Sequence, residues 1–389
     1  MSGTSERELL RALRSDLDDI TPLREGTRVQ TEVDGSAVER IGSLDGVRGL
    51  AVLMVLLYHA GQPALGGLLL QSGVDLFFVL SGFLITTILL RTRDRSNYFR
   101  LFYGRRAVRI FPLYYLVLAT FVVAANVILR LGIEDTVSFG EAQQLVDHQW
   151  WGWLYQVNNL EAFWGERAFA GLGHLWSLSI EEQFYLVWPL VVLRAPQRFL
   201  LRICMVVVAI SVVVRAVGYA TVSEDFAYYF TFCRLDGLAL GAAGAVVVRS
   251  PELAARWRPA VEWIGRRWWI VALLVLMPIE VALFGGITVL SAAYLGIVLG
   301  AREGLLAPRP TAWLHSRFLG HLGKYSYAIY VFSVPLAQNV ERVKPSNVQI
   351  VDAVFQILVV GLVSYGLARV SWVLWERPWL RLKRRLAYT

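Results

Sequence analysis

Arg48 and His59 stand eleven residues apart in the stretch Ile41 to Ala60, IGSLDGVRGLAVLMVLLYHA. At 3.6 residues per turn, eleven residues are about three full turns, so a helix here carries both side chains on one face. At 1.5 Å per residue they lie about 16 Å apart along the axis, roughly half the hydrocarbon thickness of a bilayer. A guanidinium and an imidazole on one face of an apolar helix need a polar interior to face. An arginine snorkelling at one membrane boundary and a histidine hydrogen-bonded at the other would have the same spacing, so the surrounding segments decide between the two.

Four further stretches bear on the choice. The stretch HLWSLSIEEQFYLVWPL puts His174, Glu181 and Glu182 at the start of a helix, where carboxylates also serve a helix end. GVDLFFVLSGFLIT opens with Asp75 and carries Ser81-Gly82-Phe83 deeper in, a place for close approach by a ligand or by a neighbouring helix. FYGRRAVRIFPLYY holds Arg105, Arg106 and Arg109. Arg106 and Arg109 are three apart and share a face, a pair suited to phosphate as well as to plain positive decoration. In YFTFCRLDGLALGA, Arg234 lies roughly 10 Å into its apolar segment. A charge at that depth is costly unless it is paired or faces a water-filled cavity.

These clusters must be positioned by membrane helices. The 389 residues are 56% hydrophobic and only 17% charged, too apolar for an ordinary soluble protein. Ten apolar segments near 45–60, 73–90, 108–130, 183–193, 199–219, 227–248, 268–284, 286–300, 319–338 and 349–375 read as spans. Arg91 to Arg109 holds seven arginines and Arg249 to Arg267 five, whereas Gly61 to Ser72 has no Lys or Arg and Leu131 to Ile180 has only Arg167. That alternation places both termini in the cytoplasm of a multi-pass protein of the inner or plasma membrane. It also accounts for the net charge of +8 without a nucleic-acid partner.

The expected fold is therefore all-α, about ten transmembrane helices in one bundle, surrounded by lipid. Residues 1–40 are expected to form a polar, disordered cytoplasmic tail, 41–378 the transmembrane domain, and 379–389 a basic tail, with no soluble second domain. The two cysteines, Cys204 and Cys233, give neither a disulfide framework nor metal-ligand spacing. On this topology Arg48, Arg106 and Arg109 lie toward the cytoplasm. His59, Asp75, His174, Glu181 and Glu182 fall in one outer layer, where a carboxylate-oriented histidine would be a general base. The long outer connection from Leu131 to Ile180 carries five tryptophans, Trp176 among them, and suits a cover lying over a site or a merely interfacial loop.

Together LDGVRGLAVLMVLLYH, GVDLFFVLSGFLIT, RRAVRIFPLYY, HLWSLSIEEQFYLVWPL, RLDGLALGA, LGKYSYAIYVFSVPL and WERP resemble the acyltransferase 3 family of integral membrane O-acyltransferases. The resemblance implies a ten-helix bundle and acyl transfer from acyl-CoA, a substrate rather than a tightly bound cofactor, to a hydroxyl. The family's arginine–histidine pair falls on Arg48 and His59, its paired arginines on Arg106 and Arg109, its Ser-Gly-Phe on Ser81, Gly82 and Phe83, and its acidic helix start on Glu181 and Glu182. Ser333 stands where many members carry a second histidine. The scheme this implies has Arg106, Arg109 and Arg48 on CoA, and His59 as base oriented by Asp75, Glu181 or Glu182. His174, Trp176, Ser81 and Arg234 are the candidates for contact with the substrates. The acceptor would be a glycan, a lipid-linked sugar or a small metabolite. A transporter of a polar solute is the alternative that buried polar residues leave open.

Overall fold

The computed structural model describes residues 42–65, 69–132, 136–165, 168–276, 282–343, 345–346 and 348–382. The tail expected over 1–40 lies outside them, as do residues 383–389. All regular structure among the described residues is helical. The helices of eight residues or more are α1 Gly42–Ala60, α2 Gly73–Thr92, α3 Tyr98–Leu131, α4 Thr136–Trp153, α5 Val157–Trp164 and α6 Trp176–Arg194. They continue as α7 Gln197–Thr221, α8 Thr231–Arg249, α9 Pro251–Arg266, α10 Ile287–Glu303, α11 Arg317–Val340 and α12 Gln349–Ser371.

Among these, α1, α2, α3, α7, α8 and α12 are long and apolar enough to cross a membrane, and α10 joins them if it is counted with the short helix Pro308–Leu314, bent from it by 80°. Two expected spans fall outside that set for one reason. α6 carries Glu181, Glu182 and Gln183, and α11 carries Arg317, His321 and Lys324, so polar residues dilute their hydropathy. The expected span at 268–284 is described only in part, as a short helix Trp269–Leu274. The expected loop from Leu131 to Ile180 is largely helical, in α4 and α5. α4 folds back on α3, where the Tyr114 hydroxyl donates to the Gly152 carbonyl at 2.8 Å.

α7 and α12 form the apolar exterior. Only 28% of the apolar stretch of each is buried, and Val206, Ile210, Val213, Leu358 and Leu362 stand exposed, as lipid-facing side chains do. α1, α2, α6, α8 and α11 form the interior. α2 and α8 meet backbone to backbone, because a side-chain carbon on Gly82 would lie 2.0 Å from the Leu238 oxygen and one on Gly241 2.0 Å from the Val79 oxygen. The glycine of the Ser-Gly-Phe stretch is thus a helix-packing residue, while Ser81 beside it faces inward. α1 and α11 run parallel: Arg48 shares a cavity with Ser326 and Tyr327, and His59 shares another with Ala337 and Gln338.

A candidate active site of two cavities

The first cavity, of about 300 Å³, gathers Arg48 from α1, Ser81 from α2, Arg106 and Arg109 from α3, Glu181 from α6 and Tyr327 from α11. α3 begins at Tyr98, ten residues before its expected span, so the arginines belong to the same continuous helix and the i, i+3 pair projects from one face. Arg48 is bound to Asp45 at 2.7 Å. Arg106 lays its guanidinium over the Tyr185 ring at 3.9 Å, and its Nε has no hydrogen-bond partner. Among the described residues no carboxylate stands within ion-pair distance of Arg106 or Arg109. Two adjacent guanidiniums so placed have the chemistry to hold a multiply charged anion. Glu181 accepts from the Ser81 hydroxyl at 2.7 Å across the α2–α6 contact.

The second cavity, of about 420 Å³, is lined by His59, His174 and Trp176, by Tyr228, and by two acids, Glu161 and Glu341. His59 Nδ1 lies 2.9 Å from the Val55 carbonyl oxygen of its own helix. A carbonyl only accepts, so that contact puts the proton on Nδ1 and leaves Nε2 with its lone pair. His174 is arranged the other way round. Its Nε2 is 3.2 Å from the Val331 oxygen, and its buried Nδ1 has no partner. Each imidazole is thus held by one nitrogen, which leaves a lone pair on His59 Nε2 and on the buried Nδ1 of His174.

This geometry corrects the expected orientation of His59, which is held by a backbone carbonyl rather than a carboxylate. Asp75 accepts from Arg234 at 2.9 Å, and both side chains are almost wholly buried. Glu181 lies with the arginines, because α6 begins at Trp176 and places Glu181 five residues, more than one turn, inside the helix. Glu182 lines neither cavity. Nor does Arg234, expected at the substrate. It stands behind the aromatic wall of the second cavity, 4.8 Å from the Tyr228 ring centre and 5.4 Å from that of Trp176. The remaining expected residues divide cleanly: Arg48, Arg106, Arg109 and Ser81 on one side, His59, His174 and Trp176 on the other.

Two residues were missed by the sequence analysis. Glu161 of α5 is buried and accepts from the Phe169 amide at 3.2 Å. It sits in the tryptophan-rich stretch read as a cover or an interfacial loop. Arg215 interrupts the apolar run Val212–Val217 of α7, which was signal enough to single it out. It is fully buried and donates to Asp236 at 3.0 Å and to the Cys233 carbonyl, the Leu283 carbonyl and the Thr288 hydroxyl.

The two cavities are neighbours, since Val74 of α2 and Tyr330 of α11 line both and stand between them. The Tyr330 hydroxyl donates to the His174 carbonyl at 2.7 Å and lies 2.5 Å from the Ser177 hydroxyl.

Fold and composition define a multi-pass membrane protein with a polar interior. The chain belongs to the acyltransferase 3 family, whose profile, described as an acyltransferase domain, matches residues 41–373. It is 30% identical over 324 residues to the "Putative peptidoglycan O-acetyltransferase YrhL" of Bacillus subtilis (strain 168), covering 77% of this chain and 50% of that protein. It is 28% identical over 360 residues to the "O-acetyltransferase OatA" of Staphylococcus aureus (strain NCTC 8325 / PS 47), covering 86% of this chain and 56% of that one. The chain thus spans about half the length of these curated relatives. No solved structure matches it.

Proposed function

We propose that this protein transfers a short acyl group, acetyl in the first instance, from acyl-CoA to a hydroxyl of a cell-surface carbohydrate. The observation that carries this reading is that the arginine-lined cavity and the histidine-lined cavity adjoin, with Val74 and Tyr330 in the walls of both. Acyl-CoA enters the arginine cavity from the cytoplasm, the side to which loop charge assigns Arg106 and Arg109. Their guanidiniums, with Arg48, hold its phosphates, and the thioester reaches the junction. The acceptor occupies the histidine cavity, where aromatic rings and acids suit a sugar. O-acetyltransferase relatives, one named for peptidoglycan, support both acyl group and acceptor class.

His59 Nε2 takes the proton of the acceptor hydroxyl as its oxygen attacks the thioester carbonyl. The C–O bond forms, the C–S bond breaks, and the thiolate leaves with the proton that His59 returns, giving an ester and free CoA. Histidine suits both transfers because its ordinary pKa lies near neutrality.

The test is transfer of labelled acetyl from acetyl-CoA to peptidoglycan-type oligosaccharides by purified protein in lipid nanodiscs. Parent protein should form the ester. His59→Ala should lower the rate by about 10²–10⁴, the usual range for a lost general base, and His59→Gln nearly as much. Transfer by folded His59→Ala within a few fold of the parent would refute His59 as the base.

A further inference from the structure

We propose that Val74 and Tyr330 form a rigid pair of jaws that sets the largest acyl group the protein transfers. This inference rests on the donor and acceptor assignment above. If the thioester comes from one cavity and the hydroxyl from the other, the acyl chain must lie where they meet, and both cavities are lined there by these two residues. Both are buried, at 6% and 5% exposure, and so are packed on their remaining sides.

Neither jaw yields easily. Tyr330 is tied by its hydroxyl to the His174 carbonyl and the Ser177 hydroxyl. Those two partners are neighbours in the turn that opens α6, where the Ser177 hydroxyl lies 3.5 Å from the His174 carbonyl oxygen. The Tyr330 ring meets the edges of Phe77 and of His174, with centres 6.4 and 5.5 Å apart. It is thus fixed at its tip and on its ring by α2 and by the turn that opens α6. Val74 is β-branched and lies in the first turn of α2, where a helix leaves such a side chain one strongly preferred rotamer. Its neighbour Asp75 is clamped by Arg234, which fixes that turn further. Phe77, Phe78 and Leu178 line the arginine cavity with them, so a longer acyl chain meets further bulk.

Replacing valine by alanine removes two carbons from one jaw, room for about two more carbons of acyl chain. One methylene that does not fit changes relative rates by roughly 10–200-fold. The experiment compares acetyl-, propionyl- and butyryl-CoA as donors to one oligosaccharide acceptor, for the parent, Val74→Ala and Val74→Leu. The quantity read is the rate ratio of each longer donor to acetyl within each protein, so differences in overall rate drop out. Val74→Ala should raise the butyryl-to-acetyl ratio at least tenfold, and Val74→Leu should lower the propionyl-to-acetyl ratio by a similar factor. Tyr330→Phe keeps the ring but frees its tip. It should shift the ratios in the direction of Val74→Ala, and it carries the test if Val74→Ala aggregates. Chain-length profiles that superimpose across parent and variants would overturn the jaws while leaving the donor assignment intact. A parent that uses none of the acyl-CoA donors would overturn that assignment and the jaws with it.

Discussion

Asp75 and Arg234 offer the clearest separation of a structural role from a chemical one. Their charged atoms are 2.9 Å apart, with side-chain exposures of 6% and 0%. With charge centres roughly 4 Å apart and an effective dielectric near 20, their attraction is about 4 kcal/mol. Arg234 has little else to hold it. Its Nε and Nη1 have no hydrogen-bond partners, and its other neighbours are the faces of Tyr228, Trp176 and Phe78. Asp75→Ala should therefore leave an uncompensated buried cation and destabilise the protein by about 3–5 kcal/mol. Replacing both by apolar groups of similar size, Asp75→Leu with Arg234→Met, should bring stability back to within about 1 kcal/mol of the parent, because the desolvation cost goes with the charges. Thermal unfolding followed by tryptophan fluorescence ranks the variants, and acetyl transfer is then measured on matched folded protein. The structural account expects stability and transfer to return together in the double variant. A double variant as stable as the parent but inactive would refute it and return Asp75 or Arg234 to the chemistry. Asp75→Ala as stable as the parent would refute it more directly.

Arg106→Ala and Arg109→Ala should each raise the acyl-CoA concentration for half-maximal rate by about 10–100-fold, the worth of a hydrogen bond to a charged group. Lysine should restore only part of it, since an ammonium lacks the bidentate fork. Unchanged half-saturation in both alanine variants, measured by initial rates, would remove them from the donor site. Gly82→Ala puts a carbon 2.0 Å from the Leu238 oxygen, so α2 and α8 must part; a loss of about 1–3 kcal/mol or more should appear as a lowered melting temperature, and an unchanged one would refute the contact.

Much of this site was legible because helical spacing is local. The eleven-residue separation of Arg48 and His59 places them on one face, and α1 carries one to each cavity. The three-residue separation of Arg106 and Arg109 places that pair on one face of α3. What spacing cannot supply is the direction a side chain takes relative to other helices. Val74 and Asp75 are consecutive, about 100° apart around α2. That step sends Val74 to the junction of the cavities and Asp75 to Arg234. The sequence reading singled out Asp75 and gave Val74 no role. Glu181 and Glu182 show the same limit along the axis: assigned to the outer layer because they open an apolar run, they lie beyond the first turn of a helix that begins earlier than that run.

Burial alone also failed to separate site from scaffold, because Arg215, Arg234 and Arg106 are all enclosed among helices. Their partners separate them. Arg215 donates four hydrogen bonds, one of them to Asp236, so the protein itself compensates its charge. Arg234 has one carboxylate and three aromatic faces. Arg106 has the Tyr185 ring beside it and an unpartnered Nε, and it shares a cavity with two more guanidiniums. Three guanidiniums in one cavity repel one another, and although Glu181 lines that cavity with them, none of the described carboxylates makes an ion pair with Arg106 or Arg109. A bound polyanion would offset that repulsion, which is why the arginines that the fold leaves least satisfied are the ones assigned to the phosphates of the donor. The same criterion picks out His174, which lines the second cavity and whose buried Nδ1 has no partner. On the proposed reading the acceptor hydroxyl lies in that cavity beside His59 Nε2, rather than at the carboxylates that the fold has already engaged.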